Sequence, residues 1–281
     1  MCVTCGCSDG AQTTYTPVGL DRGETPAAAS THTHRLADGT LVTHTHAPVH
    51  PAAAPAQGHH HRPGQPQGTH LSLEQNLLAK NDLIAAQNRG WLRGRRITAL
   101  NLVSSPGAGK TTLLVKTIQD LQGEFPIAVI EGDQETTQDA ERIAATGCPT
   151  LQVNTGTGCH LEAAMIERGL EQLNPPPQSL LLIENVGNLV CPALFDLGEG
   201  AKVAMLSVTE GEDKPMKYPH LFRASQVMVL TKLDLLPYVR FDVDRCCSYA
   251  RQVNPDLIIF QVSAVSGVGL EAWYDWLRAQ R

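Results

Sequence analysis

The stretch "SSPGAGKTT", Ser104 to Thr112, limits the folds open to this chain more than any other feature. It follows the apolar run "ITALNLV" and precedes an amphipathic segment, so it reads as a loop between a strand and a helix. The phosphate-binding consensus is G-x-x-x-x-G-K-[ST]; Ser104 takes the first glycine position and the remainder fits. Gly107 and Gly109 let the backbone close around an anion, which backbone amides and the helix N-terminus then face. The residues expected at the phosphates are Ser105, Gly107, Ala108, Gly109, Lys110, Thr111 and Thr112. Lys110 would reach the β- and γ-phosphates, and the Thr111 hydroxyl would ligate Mg²⁺.

The rest of the chain says what surrounds that loop. Six further apolar runs follow: "PIAVIEG", "PTLQVN", "SLLLIENV", "KVAMLSV", "SQVMVLTK" and "DLIIFQVS". Amphipathic stretches such as "DAERIAATG", "HLEAAMIERGLEQL", "VDRCCSYARQV" and "LEAWYDWLRAQ" separate them. This alternation predicts an α/β fold, a mostly parallel sheet flanked by helices, with ligands at the carboxyl ends of the strands. Residues 1–70 differ: they hold seven of the 18 prolines and nine of the 11 histidines, with large apolar residues only scattered. Such a segment buries too little to offset the entropy of ordering it, so a disordered His-rich tail over 1–70 is expected ahead of a folded domain over 71–281. A helix should open that domain, with Ser72 and Gln75 as a capping box and Leu73, Leu77 and Ile84 on one face. The glycines of "RGWLRGRR" should break it.

The net charge of −6 argues against nucleic acid as a main partner. No apolar run approaches the roughly 20 residues needed to cross a bilayer, and the N-terminus lacks a signal peptide's basic start and apolar middle. The eight cysteines are therefore expected in a reducing cytoplasm, bound to metal or doing redox work rather than forming disulfides.

"VLTKLDLL", at the end of the run "SQVMVLTK", stands where guanine readers carry N-K-x-D. Asp234 can accept from the ring N–H and exocyclic amine of guanine, a donor pair that adenine lacks at that edge, and the Lys232 stem can lie along the base. Thr231 replaces the usual Asn; Ser263 and Ala264 in "VSAVSG" resemble the second base loop. Together these favour GTP over ATP. Asp133 at the end of "VIEGD" and Glu184 in "LLIENVGN" could complete a Mg²⁺ shell, and Gly187 is free to meet a γ-phosphate. No residue presents itself as a water-positioning glutamine, although Gln134 and Gln138 are near the right region, so slow hydrolysis is expected, below about 1 s⁻¹.

Two loops at the same sheet edge carry soft ligands. Cys159 and His160 lie in "NTGTGCHLEAA", and Cys191 lies in "ENVGNLVCPAL". Two thiolates and an imidazole suit Zn²⁺ or Ni²⁺, with a fourth position left for water or a second subunit. Cys148 reads as core filler, and Cys246 and Cys247 as structural. At the N-terminus Cys2, Cys5 and Cys7 in "MCVTCGC" can wrap one soft metal, with Gly6 allowing the bend; the Cys2 amine is a possible fourth ligand if Met1 is removed.

With these residues in view, the chain resembles the HypB-type GTPases that help insert nickel into [NiFe]-hydrogenase. The likeness covers residues 72–281 and rests on "NLVSSPGAGKTTLL", "EGDQETTQDAERI", "GCHLEA", "IENVGNLVCPA", "SVTEGEDKPMKYPHLF" and "LDLLPY", with "CVTCGC" in addition. The resemblance implies a P-loop GTPase of the SIMIBI superclass that dimerises with GTP at the interface. It also implies a HypA-type accessory protein and the hydrogenase large-subunit precursor as partners, and Cys159, His160 and Cys191 as a metal site that a dimer could share. It makes Lys214 in "GEDKP" an interface or nucleotide contact. The signature lysine that some relatives carry early in the phosphate loop is absent; Ser105 stands there. Urease-type relatives instead place C-P-H where this chain has "GCHLEA", and lack "CVTCGC". Cobalamin-type metallochaperones and a nickel store built on the histidine tail are the other readings weighed.

Overall fold

The computed structural model describes residues 13–19, 30–35, 41–46, 68–134 and 136–281; Cys2, Cys5 and Cys7 lie outside them. Strand β1 (Thr14–Val18) runs antiparallel to the "PTLQVN" run, with Tyr15 opposite Val153. This segment was expected in a disordered tail. Its five residues supply what an edge strand needs: β-branched residues, a tyrosine that packs on the core, and a proline that only an edge tolerates. Strands β2 (Ser30–Arg35) and β3 (Leu41–His46) form an antiparallel hairpin with His32 opposite His44, also within the span expected to be disordered, and this hairpin is a unit of its own.

Helix α1 (Gly68–Gly94) begins ahead of the expected capping box and runs through Gly90 before ending at Gly94. Its buried face is also not the expected one: Leu77 is exposed and Ile84 only half-buried, whereas Asn81, Ala85, Asn88 and Leu92 are buried at helical spacing. The two asparagines reach loop backbone. Asn81 accepts from the Ala163 amide and donates to the Asp196 carbonyl, and Asn88 donates to the Ala163 and Leu197 carbonyls. These bonds, with the Arg89–Asp196 pair at 2.7 Å, keep the helix intact across a glycine that costs about 1 kcal/mol.

The seven expected strands all form: β4 (Thr98–Ser104), β5 (Ile127–Asp133), β6 (Thr150–Asn154), β7 (Leu180–Glu184), β8 (Ala201–Ser207), β9 (Val227–Thr231) and β10 (Ile258–Gln261). All are parallel, and with β1 at one edge the order is β1-β6-β5-β7-β4-β8-β9-β10. Helices α2 (Lys110–Leu121), α3 (Gln138–Ala144), α4 (Ala163–Leu173), α5 (Cys191–Leu194), α6 (Lys214–Lys217), α7 (Pro219–Ala224), α8 (Val243–Val253) and α9 (Leu270–Ala279) connect or flank them. Alternate residues of one strand serve opposite faces. Leu100 and Leu102 pack with Leu113, Ile118 and Trp273, while Ala99 packs with Ile166 and Leu170.

Cys148 and Cys246 are core residues as expected, and burial pushes both thiols up to about 12. Cys247 is also buried, against Gln261. Among the described residues no helix is long and apolar enough to cross a membrane. The sheet order brings the ends of β4, β5 and β7 together beside the turn into α2, and the candidate chemistry lies there.

Candidate functional site

The loop from Pro106 to Gly109 lines a cleft of about 400 Å³ together with residues from the start of α2 and the ends of β5 and β7. Gly107 and Gly109 both sit at positive φ, 75° and 93°, a conformation that side chains resist. Lys110 is buried, and its ammonium donates to the Ser104 hydroxyl at 2.8 Å. Ser104 therefore does more than occupy a glycine position: it supplies the acceptor on which the lysine rests. Burial lowers the Lys110 pKa, opposed by the nearby Glu184, Asp139, Glu131 and Glu210 carboxylates. Ser105 donates its hydroxyl to Glu210, which also pairs with Lys214 at 3.4 Å. Lys214 is thus linked to the loop position from which the signature lysine is missing. Thr112 receives a long bond from Arg142, whose guanidinium is held by Asp139 at 3.0 Å.

The acidic wall differs from the expected one. Glu184 is there, fully buried, accepting from the Thr111 hydroxyl at 2.8 Å. Directly across from it in the β5–β7 register stands Glu131, a residue that the sequence reading passed over. Each has one carboxylate oxygen buried without a hydrogen-bond partner. Burial, then the negative Glu184, Asp133 and Asp139, pushes Glu131 up to about 9. Burial also pushes Glu184 up to about 7, against the pull of Lys110 and Thr111. Two carboxylates with orphaned oxygens beside a threonine hydroxyl form an oxygen-rich pocket that a hard divalent cation fits. Asp133 lies on the same strand face at the cleft rim, and its Oδ2 accepts from both the amide and hydroxyl of Thr136. Gly187 approaches the loop closely; a Cβ there would meet Pro106 at 3.0 Å.

Two residues beyond Lys232, which lines the cleft, Asp234 accepts from the Ser263 hydroxyl at 2.5 Å, joining the two loops expected at the base. Ala264 follows Ser263 and is half-buried. Lys232 adopts φ 62° and its ammonium donates to the Gly107 carbonyl at 2.7 Å. Thr231 does not face outward: its hydroxyl donates to the Ala108 carbonyl at 2.6 Å.

The ligand atoms of Cys159, His160 and Cys191 lie within 4.8 Å of one another. They come from the loop after β6 and the first turn of α5. The His160 ring stacks on Phe195 at 4.0 Å, its Nδ1 lies 3.5 Å from the Cys159 sulfur, and its Nε2 is 3.6 Å from Glu162. Buried amides fasten this corner to the nucleotide cleft. Asn185, the residue after Glu184, accepts from the Leu161 amide at 3.1 Å and donates to Asn101, which donates to Glu199. Glu199 lies 3.8 Å from the buried Lys202, whose ammonium donates to the carbonyls of Pro192 and Phe195 around α5. Asn188 donates to the Cys159 carbonyl and accepts from the Val190 amide just ahead of Cys191. Gln134 likewise reaches from the cleft to the Gly158 carbonyl. Sequence reasoning singled out Cys159, His160 and Cys191, which the fold brings together, and identified none of these fasteners.

Comparison with known proteins adds an independent line. Residues 98–261 match a family model described as CobW/HypB/UreG, nucleotide-binding domain. The chain is 56% identical over 233 residues to the hydrogenase maturation factor HypB of Azotobacter chroococcum mcd 1, covering 83% of this chain and 76% of that protein. The crystal structure of the hydrogenase maturation factor HypB from Archaeoglobus fulgidus superposes with a TM-score of 0.68 at 40% identity, covering 72% of this chain and 98% of that one. The structure of HypB from Helicobacter pylori in complex with nickel does so with a TM-score of 0.67 at 36% identity, covering 72% and 94%.

Proposed function

Because this chain belongs to the HypB family of hydrogenase maturation factors and is a GTPase, we propose that it is a GTP-gated nickel carrier serving the large subunit of a [NiFe]-hydrogenase. The observation that carries the gating is Asn185. It follows Glu184 directly in the chain, and its side chain holds the amide next to His160.

The cleft residues then have distinct tasks. Lys110 exchanges the Ser104 hydroxyl for the β- and γ-phosphates, a short movement of a group already aimed into the loop. Thr111, Glu184 and Glu131, with Asp133 at the rim, would hold Mg²⁺, which when bound supplies positive charge against the phosphates and the crowded carboxylates. Asp234 reads the guanine edge, held in place by Ser263. Gln134 is bonded to the Gly158 carbonyl rather than turned to an attacking water, which supports slow hydrolysis. A γ-phosphate meeting Gly187 presses on the segment between Asn185 and Asn188, and both metal-ligand loops hang from those two side chains.

Nickel is the cargo. Cys159, His160 and Cys191 offer a soft donor set that also accommodates Zn²⁺. Val190 and Leu194 expose apolar surface on either side of Cys191, which supports a homodimer closing over this corner in the GTP state. Cys2, Cys5 and Cys7 form a tethered loading grip, and a HypA-type accessory protein and the hydrogenase precursor are the partners, all in the cytoplasm. Native mass spectrometry of the full chain with Ni²⁺ and either GDP or a non-hydrolysable GTP analogue tests this reading. The expected result is a nickel-bearing dimer with the analogue and a monomer with GDP. Identical species in both nucleotides would contradict it.

A further inference from the structure

Guanine presents two chemically different edges to a protein. Its ring N–H and exocyclic amine are donors and call for a carboxylate, whereas N7 is an acceptor and calls for a donor. In the N-K-x-D arrangement the asparagine amide carries two N–H donors, enough to fasten the phosphate loop and still serve N7. Thr231 occupies that position here and has a single O–H.

The structure shows where that proton goes. Thr231 ends β9, is 4% exposed, and donates to the Ala108 carbonyl at 2.6 Å. A second carbonyl, that of Leu206, lies at 3.3 Å. Both neighbours are acceptors, so turning the hydroxyl toward a base would strip Ala108, itself 1% exposed, of its partner. Leaving a buried carbonyl unsatisfied costs more than one new bond to N7 returns. The adjacent side chain offers no substitute, since the Lys232 ammonium is bonded to the Gly107 carbonyl at 2.7 Å. Thr231 and Lys232 are both turned onto the phosphate loop, and Asp234, oriented by Ser263, remains to face the donor edge.

We infer that this GTPase reads the donor edge of guanine through Asp234 and is blind to N7, with Thr231 acting as a brace for the phosphate loop rather than as a base contact. The inference rests on the assignment of Asp234 as guanine reader, and the two can fail separately. Thr231 then sets specificity by omission: nucleotides altered at purine position 7 are accepted, and those lacking the 2-amino group are not.

The test is displacement of a fluorescent GDP from the full-length protein with Mg²⁺ present, by GDP, 7-deaza-GDP and IDP. The expected affinities for GDP and 7-deaza-GDP agree within about threefold, with IDP weaker by at least about fivefold. If 7-deaza-GDP is weaker than GDP by more than threefold, N7 is read and the inference is overturned. If IDP binds as well as GDP, the reading of Asp234 fails instead. Thr231→Val separates the two roles of the hydroxyl. Loss of the brace should weaken GDP and 7-deaza-GDP by the same factor; a loss confined to GDP would show that the hydroxyl had reached N7, and would overturn the inference.

Discussion

The nucleotide cleft and the candidate metal corner share one sheet edge, yet they are held together by different means. The cleft is shaped by backbone: Gly107 and Gly109 in left-handed conformations, Gly187 against Pro106, and a loop whose chemistry is contiguous from Ser104 to Thr112. The metal corner is shaped by side chains from distant parts of the chain. Asn81 and Asn88 of α1 grip the segments after His160 and after α5, while Asn185 and Asn188 grip the Cys159–His160 loop from the other side. A site built from one contiguous loop declares itself as a motif. A site suspended from buried amides declares only its ligands, and the amides are where a signal from the cleft can enter.

That difference predicts separable failures. The largest is Lys110→Ala, which should lower single-turnover GTP hydrolysis by roughly 100-fold or more, since it removes the charge aimed at the transferring phosphoryl group. Nickel binding by the nucleotide-free chain, with Cys2, Cys5 and Cys7 changed to serine and the nine histidines of residues 1–70 changed to alanine so that the body site is read, should stay within about twofold. Loss of nickel binding in Lys110→Ala would mean that the two regions are one site. The converse change, Cys191→Ala, should cost roughly 10- to 100-fold in nickel affinity by competitive chelation. It should leave hydrolysis measured with Mg²⁺ and without nickel within about threefold, and a larger loss there would place Cys191 in the catalytic cleft.

Much of this was legible beforehand, and the reasons are physical. The seven parallel strands announce themselves because strands buried on both faces must be apolar throughout. The phosphate loop is legible because its backbone needs glycine at fixed positions. Strand β1 was not, because an edge strand needs only one packed face, and Tyr15 provides it amid threonines and a proline. The buried face of α1 was misread because periodicity counts apolar residues, and here the helix turns asparagines inward to bind loop backbone while Leu77 stays in solvent. Glu131 was hidden by the more conspicuous Asp133 two residues later; only the register with β7 shows that it faces Glu184. Thr231 lay in the expected motif, but its direction toward Ala108 follows from the packing of β9 beside the phosphate loop.

The central claim is that nucleotide state changes nickel affinity through Asn185. The direct measurement is a competitive nickel titration of the body site with GDP and with a non-hydrolysable GTP analogue, in the parent protein and in Asn185→Ala. Typical coupling between sites is about 1–3 kcal/mol, so the parent should show affinities differing by roughly fivefold or more between the two nucleotides. Asn185→Ala should bring the two affinities together within about twofold while both nucleotides still bind. Equal nickel affinities in the parent, or a full nucleotide effect that survives Asn185→Ala, would contradict the account.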